Sequence, residues 1–151
     1  MTTRIFTAKN KPTALCLFLT LWLFTVAHAH GEQKIIVNQS VPISDPDWIY
    51  LNQIFAMQIR KWPDDSAIQV FTLPSTSELH REFTVKRLKI QAHQLDRIWN
   101  RMLFTGTGKA PTVVESEEEM LEMVKSTPGA IGYVSGEYPV SDVKLLSGAQ
   151  E

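Results

Sequence analysis

The chain has 151 residues, with 15 Lys and Arg against 16 Asp and Glu and a mean hydropathy of −0.10. That length predicts one domain. The balanced charge offers no basic stripe to neutralise phosphates, which excludes nucleic acid as an expected partner. The one cysteine, Cys16, lies in an N-terminal apolar run, so stability has to come from apolar burial rather than disulfides.

The chain opens with Arg4, Lys9 and Lys11, followed by the charge-free run Ala14–Val26 and then Ala27-His28-Ala29. This is the order of a signal peptide with a small-x-small cleavage site. The run is short for a transmembrane helix, which needs about 20 residues. Leu15 before Cys16 does not suit a lipoprotein signal. Cleavage after Ala29 leaves His30–Glu151, 122 residues. Removing three basic residues leaves 12 basic against 16 acidic, a net charge of −4, and no membrane span.

Beyond a polar leader, Lys34–Asn38 (KIIVN) reads as a strand. Its unbroken apolar run favours burial on both faces, as in a parallel sheet between helices. Ser44 is a suitable helix N-cap with Pro46 in the first turn. Trp48, Leu51, Ile54 and Phe55 share the buried side of that helix, which ends near residues 56–58. Ile59–Ser66 (IRKWPDDS) is a turn, and Ile68–Leu73 (IQVFTL) a second strand.

Pro74–Ser77 (PSTS) directly precedes a helix over Glu78–Leu88. Free N–H groups and the positive end of the dipole make this the best anion-site geometry in the chain. Ser75, Thr76, Ser77 and Arg81 are the candidate ligand-binding residues. The simpler reading is that one of the three hydroxyls caps the helix and that Arg81 is a solvated charge.

His93–Phe104 carries the clearest helical period, with Leu95, Ile98, Trp99, Met102 and Leu103 facing a core. Trp99 reads as a core residue. Gly106 and Gly108 end this helix, and Thr112–Val114 is a short extended piece. Ser116 to Glu119 form a capping box. Glu117, Glu118 and Glu119 sit where the dipole favours negative charge, so the acidic run reads as a helix start rather than a metal cluster. Thr127-Pro128-Gly129 stops the helix. Ala130–Val134 is a strand whose Gly132 allows close backbone approach. Val143–Leu146 is a last strand. This alternation predicts an α/β layered domain with a mostly parallel sheet flanked by helices.

No catalytic motif stands out. There is no G-x-S-x-G elbow, no P-loop, no G-x-G-x-x-G and no H-E-x-x-H. Gly106-Thr107-Gly108 alone is a weak signal. His30, His80 and His93 are too scattered to predict a metal site by spacing, although His30 as a mature N-terminus would be able to chelate copper. No cofactor and no catalytic residue is expected.

The ordered pieces from Ile35 to Val134 resemble one family. Ile35-Ile36-Val37-Asn38 looks like a strand ending in Asn. Ile54-Phe55 followed by Lys61-Trp62-Pro63-Asp64 resembles an IF-G-x-W-x-D-G helix and turn. Arg81-Glu82-Phe83, Trp99 through Phe104-x-Gly106, Glu115-Ser116-Glu117 and Pro128-Gly129-Ala130-Ile131-Gly132-Tyr133 follow in order. Together they resemble the periplasmic phosphate-binding proteins of ABC importers. The resemblance covers about four-fifths of the predicted mature chain and implies a single periplasmic-binding-protein-like lobe. It further implies a non-catalytic protein that binds phosphate or another small anion for an ABC transport system.

Several positions depart from that family. Glu78 and Leu79 replace its Gly and Thr after Ser77, and Thr72 or Leu73 stands at its Arg position. Asp65 stands where it has Gly, and Ala56-Met57 where a Leu-Gly pair is usual. A lost glycine hinders close approach, and an added carboxylate opposes an anion. The alternative expectation is therefore a protein-interaction, sensor or accessory module of the cell envelope that has lost ligand binding; a homodimer would rebuild a two-lobed cleft and unite the two readings.

Overall fold

The computed structural model describes residues 32–147. The signal-peptide reading of residues 1–29 and the copper reading of His30 lie outside the described residues. The elements run β1 (Lys34–Val37), α1 (Trp48–Phe55), β2 (Gln69–Thr72), α2 (Glu78–Lys86), α3 (Ala92–Thr105), β3 (Thr112–Val113), α4 (Glu117–Ser126), β4 (Ala130–Val134) and β5 (Lys144–Leu146). Five strands form one sheet in the order β3-β2-β4-β1-β5. Among the described residues no helix is long and apolar enough to cross a membrane.

The α/β single-lobe expectation holds, with one correction to the sheet. β2 is parallel to β3 and to β4, whereas β1 runs antiparallel to both β4 and β5. The sheet is therefore mixed rather than mostly parallel. The apolar run Ile35-Ile36-Val37 is buried on both faces as expected. Burial on both faces describes any strand in the middle of a sheet covered by helices, so it does not report strand direction.

Helices cover both faces. Along β4 the side chains alternate. Gly132 lies against α4, where an added Cβ would run into the Met120 sulfur and Val124. Tyr133 points to the opposite face, where Phe83 of α2 stacks on it at 3.8 Å and 7° and Phe55 of α1 meets it edge-on at 6.0 Å. Trp99 of α3 is buried on that same side, and its Nε1 donates to the Phe55 carbonyl at 2.9 Å. Leu103, expected on the core side, is 54% exposed.

Local signals account for most element ends. Ser77 and Ser116 accept N–H groups of the first helical turn, from His80 and Glu119. The capping box at Ser116 is displaced by one residue: the Glu119 carboxylate receives the N–H of Glu115 rather than that of Ser116. Gly106 closes α3 in the left-handed conformation at φ 66°.

The start of α1 is a second correction. Asp47, not Ser44, is the N-cap, and its Oδ1 accepts the Tyr50 N–H at 2.7 Å. Pro46 thus sits just outside the helix. Trp48, expected in the core, is 40% exposed.

Turns are tied to one another. The Trp62 indole donates to the Gly129 carbonyl at 3.0 Å, which joins the WPDD turn to the Pro-Gly turn. Asn38 donates to the Val124 and Lys125 carbonyls at 2.9 and 2.8 Å, so the end of β1 caps α4. Met57 and Asp65, the positions at which the resemblance has glycine, adopt φ 59° and 67°. The left-handed backbone is kept without the residue that adopts it at least cost.

Candidate functional site

β2 lies between β3 and β4. The chain leaves its carboxyl end through α2 and α3 to reach β3 on one side, then returns through α4 to β4 on the other. A crevice outside the carboxyl ends of strands, where the strand order reverses, is the usual ligand position in open α/β sheets. The loop Leu73–Ser77 and the start of α2 occupy that position.

The structure brings Ser75, Thr76 and Ser77 into one tight turn, with the Ser77 N–H donating to the Pro74 carbonyl at 2.8 Å. Each hydroxyl has a different role. Ser77 caps α2, accepting the His80 N–H at 3.4 Å. Ser75 donates through Oγ to Asp96 Oδ1 of α3 at 2.7 Å. Thr76 is exposed. Arg81 pairs with Glu78 one turn away, with both side chains largely in solvent. Ser75 and Arg81 also line a groove of about 190 Å³ together with His93 and Asp96. The four candidates are thus close together, but two carboxylates, Glu78 and Asp96, already hold the charged and hydroxyl groups an anion would need.

Beneath the loop is a buried network centred on His80. This residue is 1% exposed, and its Nδ1 lies 2.6 Å from the Tyr133 hydroxyl. The Leu73 N–H donates to the same hydroxyl at 2.9 Å. The Leu73 N–H takes one acceptor site of the hydroxyl, and the direction of the Tyr133–Nδ1 hydrogen bond follows the imidazole tautomer. Burial pushes the His80 pKa down, partly offset by the Asp96 carboxylate. Burial also pushes the Tyr133 phenol up. His80 therefore links the start of α2, strand β4 and the first residue of the loop.

A larger groove of about 350 Å³ adjoins the loop between α3 and the β3 edge. Thr72, Asp96, Trp99, Asn100, Leu103 and Val113 are among its walls. Thr72 is fully buried, and its hydroxyl has no hydrogen-bond partner among the described residues. Among the described residues no three His, Cys, Asp or Glu side chains cluster as metal ligands would.

Sequence reasoning named His80 only as one of three scattered histidines and Thr72 only as a stand-in for the family's Arg, and it did not single out Asp96. His80, Phe83 and Thr84 are all buried along α2, so the i, i+3, i+4 spacing was a usable signal for a core histidine. Asp96 gave none, because a single aspartate next to Leu95 on an amphipathic helix reads as solvent-facing.

Comparison of the sequence with known protein families and with curated proteins finds no match. Solved structures do match the fold. One is a Clostridium perfringens protein solved with bound phosphate and assigned to phosphate ABC transport as a substrate-binding protein. It is 18% identical, with a TM-score of 0.63, over 77% of this chain and 44% of that one. An ABC-type phosphate transport receptor from Vibrio cholerae is 21% identical, with a TM-score of 0.61, over 79% and 46%. PstS from Borrelia burgdorferi is 19% identical, with a TM-score of 0.61, over 77% and 46%. The chain spans less than half the length of each. At these identities the likeness is one of fold: the chain has the single-lobe α/β fold found in these proteins, as the resemblance implied.

Proposed function

We propose that the protein is an exported, non-catalytic domain of the cell envelope that uses the carboxyl-end face of its parallel strands to bind a protein partner, with phosphate capture lost or weak. Arg4, Lys9, Lys11, the apolar run to Val26 and Ala27-His28-Ala29 support a cleaved signal over residues 1–29, a domain over 30–151 and a periplasmic location. One observation carries the loss of phosphate capture: the groups expected to hold an anion are satisfied from within, Ser75 by Asp96, Ser77 by its own helix and Arg81 by Glu78. An incoming phosphate would displace a carboxylate from Arg81 and meet a second one at Asp96, and like charges at such range oppose binding.

A second reading, a small anion bound for an ABC transport system at Ser75, Thr76, Ser77 and Arg81, draws on the fold neighbours and on the groove shared by Ser75 and Arg81. Calorimetric titration of the purified protein with inorganic phosphate separates the two. The partner reading expects no saturable heat at millimolar phosphate, and a complex recovered from envelope extract whose mass by light scattering exceeds that of a monomer or homodimer. Glu78→Gln, which releases Arg81, should then raise the phosphate affinity. Micromolar binding by the unaltered protein would overturn the partner reading and establish the anion one.

A further inference from the structure

The groove between α3 and the β3 edge has a composition unlike that of the neighbouring loop. Asp96, Trp99, Asn100 and Leu103 reach it at i, i+3, i+4 and i+7 of α3, so one helical stripe forms a whole wall. Pro111 and Val113 form the facing wall, and Thr72 lies where β2 ends. Among the described residues Asp96 is the only charged side chain lining this groove. Its carboxylate takes one hydrogen bond, from Ser75, and among the described residues no lysine or arginine pairs with it. Two cationic candidates, Arg81 and His93, line the adjoining smaller groove, which shares Ser75 and Asp96 with this one, and Arg81 is paired with Glu78.

We infer that this groove is a binding site for a small organic ammonium ion: a protonated amine on a compact apolar body. Asp96 supplies the opposite charge and unfilled acceptor capacity, and charge-assisted bonds of this kind are the strong ones. Trp99, three residues on along the same stripe, is a lining residue with its N–H spent on the Phe55 carbonyl, so what it adds at the groove is apolar surface. Thr72, whose buried hydroxyl has no partner among the described residues, lines the base of the groove. Leu103 and Val113, both about half exposed, gain apolar cover from the ligand's stem. An anion in the same groove would face Asp96 with no lysine, arginine or histidine among the groove's described lining residues, so the chemistry is opposite to that of the neighbour solved with bound phosphate. This inference goes beyond the partner-binding proposal and does not depend on it.

Titrating isotope-labelled protein with phenethylammonium, and separately with phenylacetate as its charge-reversed analogue, tests the assignment by amide and indole resonances. The ammonium should shift the Trp99 indole and Asn100 resonances saturably, while phenylacetate and inorganic phosphate should not. Asp96→Asn, which keeps an acceptor for Ser75, should weaken the ammonium at least about tenfold, equivalent to about 1.4 kcal/mol. Val113→Lys at the exposed rim should weaken it to a similar degree without touching the core, which guards against a folding defect in the first variant. Phenylacetate binding as well as the ammonium, insensitivity to both variants, or no saturable shift at millimolar ammonium would each overturn the proposal. None of these readouts measures capture of a protein partner, so failure here and failure of the partner reading are distinguishable.

Discussion

Replacing Tyr133 with Phe isolates the His80 network from the packing around it. The phenol ring stacks on Phe83 at 3.8 Å, and a phenylalanine keeps that contact. What disappears is one hydroxyl serving two buried groups: the Leu73 N–H at 2.9 Å and His80 Nδ1 at 2.6 Å. His80 Nε2 already has no partner among the described residues, so the imidazole would be buried with neither nitrogen bonded. A buried donor or acceptor left unsatisfied costs about 1–3 kcal/mol, so the two together should cost about 2–6 kcal/mol. Domains of this size are stable by about 5–15 kcal/mol, so the variant should remain folded but be visibly weakened. Its Tm should fall by about 10 °C or more. Denaturant unfolding followed by circular dichroism should show a lower midpoint with an unchanged slope. Tyr138→Phe, at a half-buried position whose hydroxyl makes no hydrogen bond among the described residues, is the control and should stay within about 0.5 kcal/mol. If Tyr133→Phe also stayed within that range, the hydroxyl would not be anchoring the loop and the assignment of the network would be wrong.

Three further outcomes are expected. Because burial lowers the His80 pKa below its ordinary 6.5, the unfolded chain binds the extra proton first. His80's contribution is therefore fully present above about pH 6.5 and is lost as the pH falls toward the folded-state value, with a slope of at most about 1.4 kcal/mol per pH unit; His80→Asn should flatten stability curves measured across this window. Gly129 combines φ 73° with a backbone carbonyl, that of Ala67, where a Cβ would stand. Gly129→Ala should cost about 2–5 kcal/mol by thermal unfolding, and a stable, unshifted variant would contradict the turn geometry. The corrected cap of α1 predicts that Asp47→Ala costs about 1 kcal/mol in denaturant unfolding while Ser44→Ala costs clearly less; the reverse order would restore Ser44 as the cap.

Much of the element list was legible in the residues because its signals are local. Ser77 and Ser116 stand where a hydroxyl can reach the N–H three residues on, and both do so. The 95/98/99/102 spacing places one stripe of α3 against the core. Gly129 and Gly132 occupy positions where a side chain would collide. The Trp99–Tyr133 stretch, which holds a core tryptophan, a helix stop, a capped helix and a strand start, identifies the fold through these same short-range features.

The candidate site was less legible because its chemistry depends on groups far apart in the chain. Three hydroxyls and an arginine at a helix start read as an anion site. Whether they are free was decided by Asp96, 21 residues after Ser75, and by the way Glu78 turns back on Arg81. His80 carries no local mark of its partner at Tyr133, 53 residues on. The direction of β1 was equally hidden, since an apolar run buried on both faces has the same composition in a parallel or an antiparallel sheet. By itself the sequence determined which segments form helices and strands, most of their ends and most of the apolar faces, because propensity, capping and periodicity act within a few residues; the start of α1 and the exposure of Trp48 and Leu103 were exceptions. Only the tertiary structure decided strand direction, the pairing of buried polar groups and the charge presented at the crevice, because hydrogen bonds and Coulomb interactions depend on distances that folding alone sets.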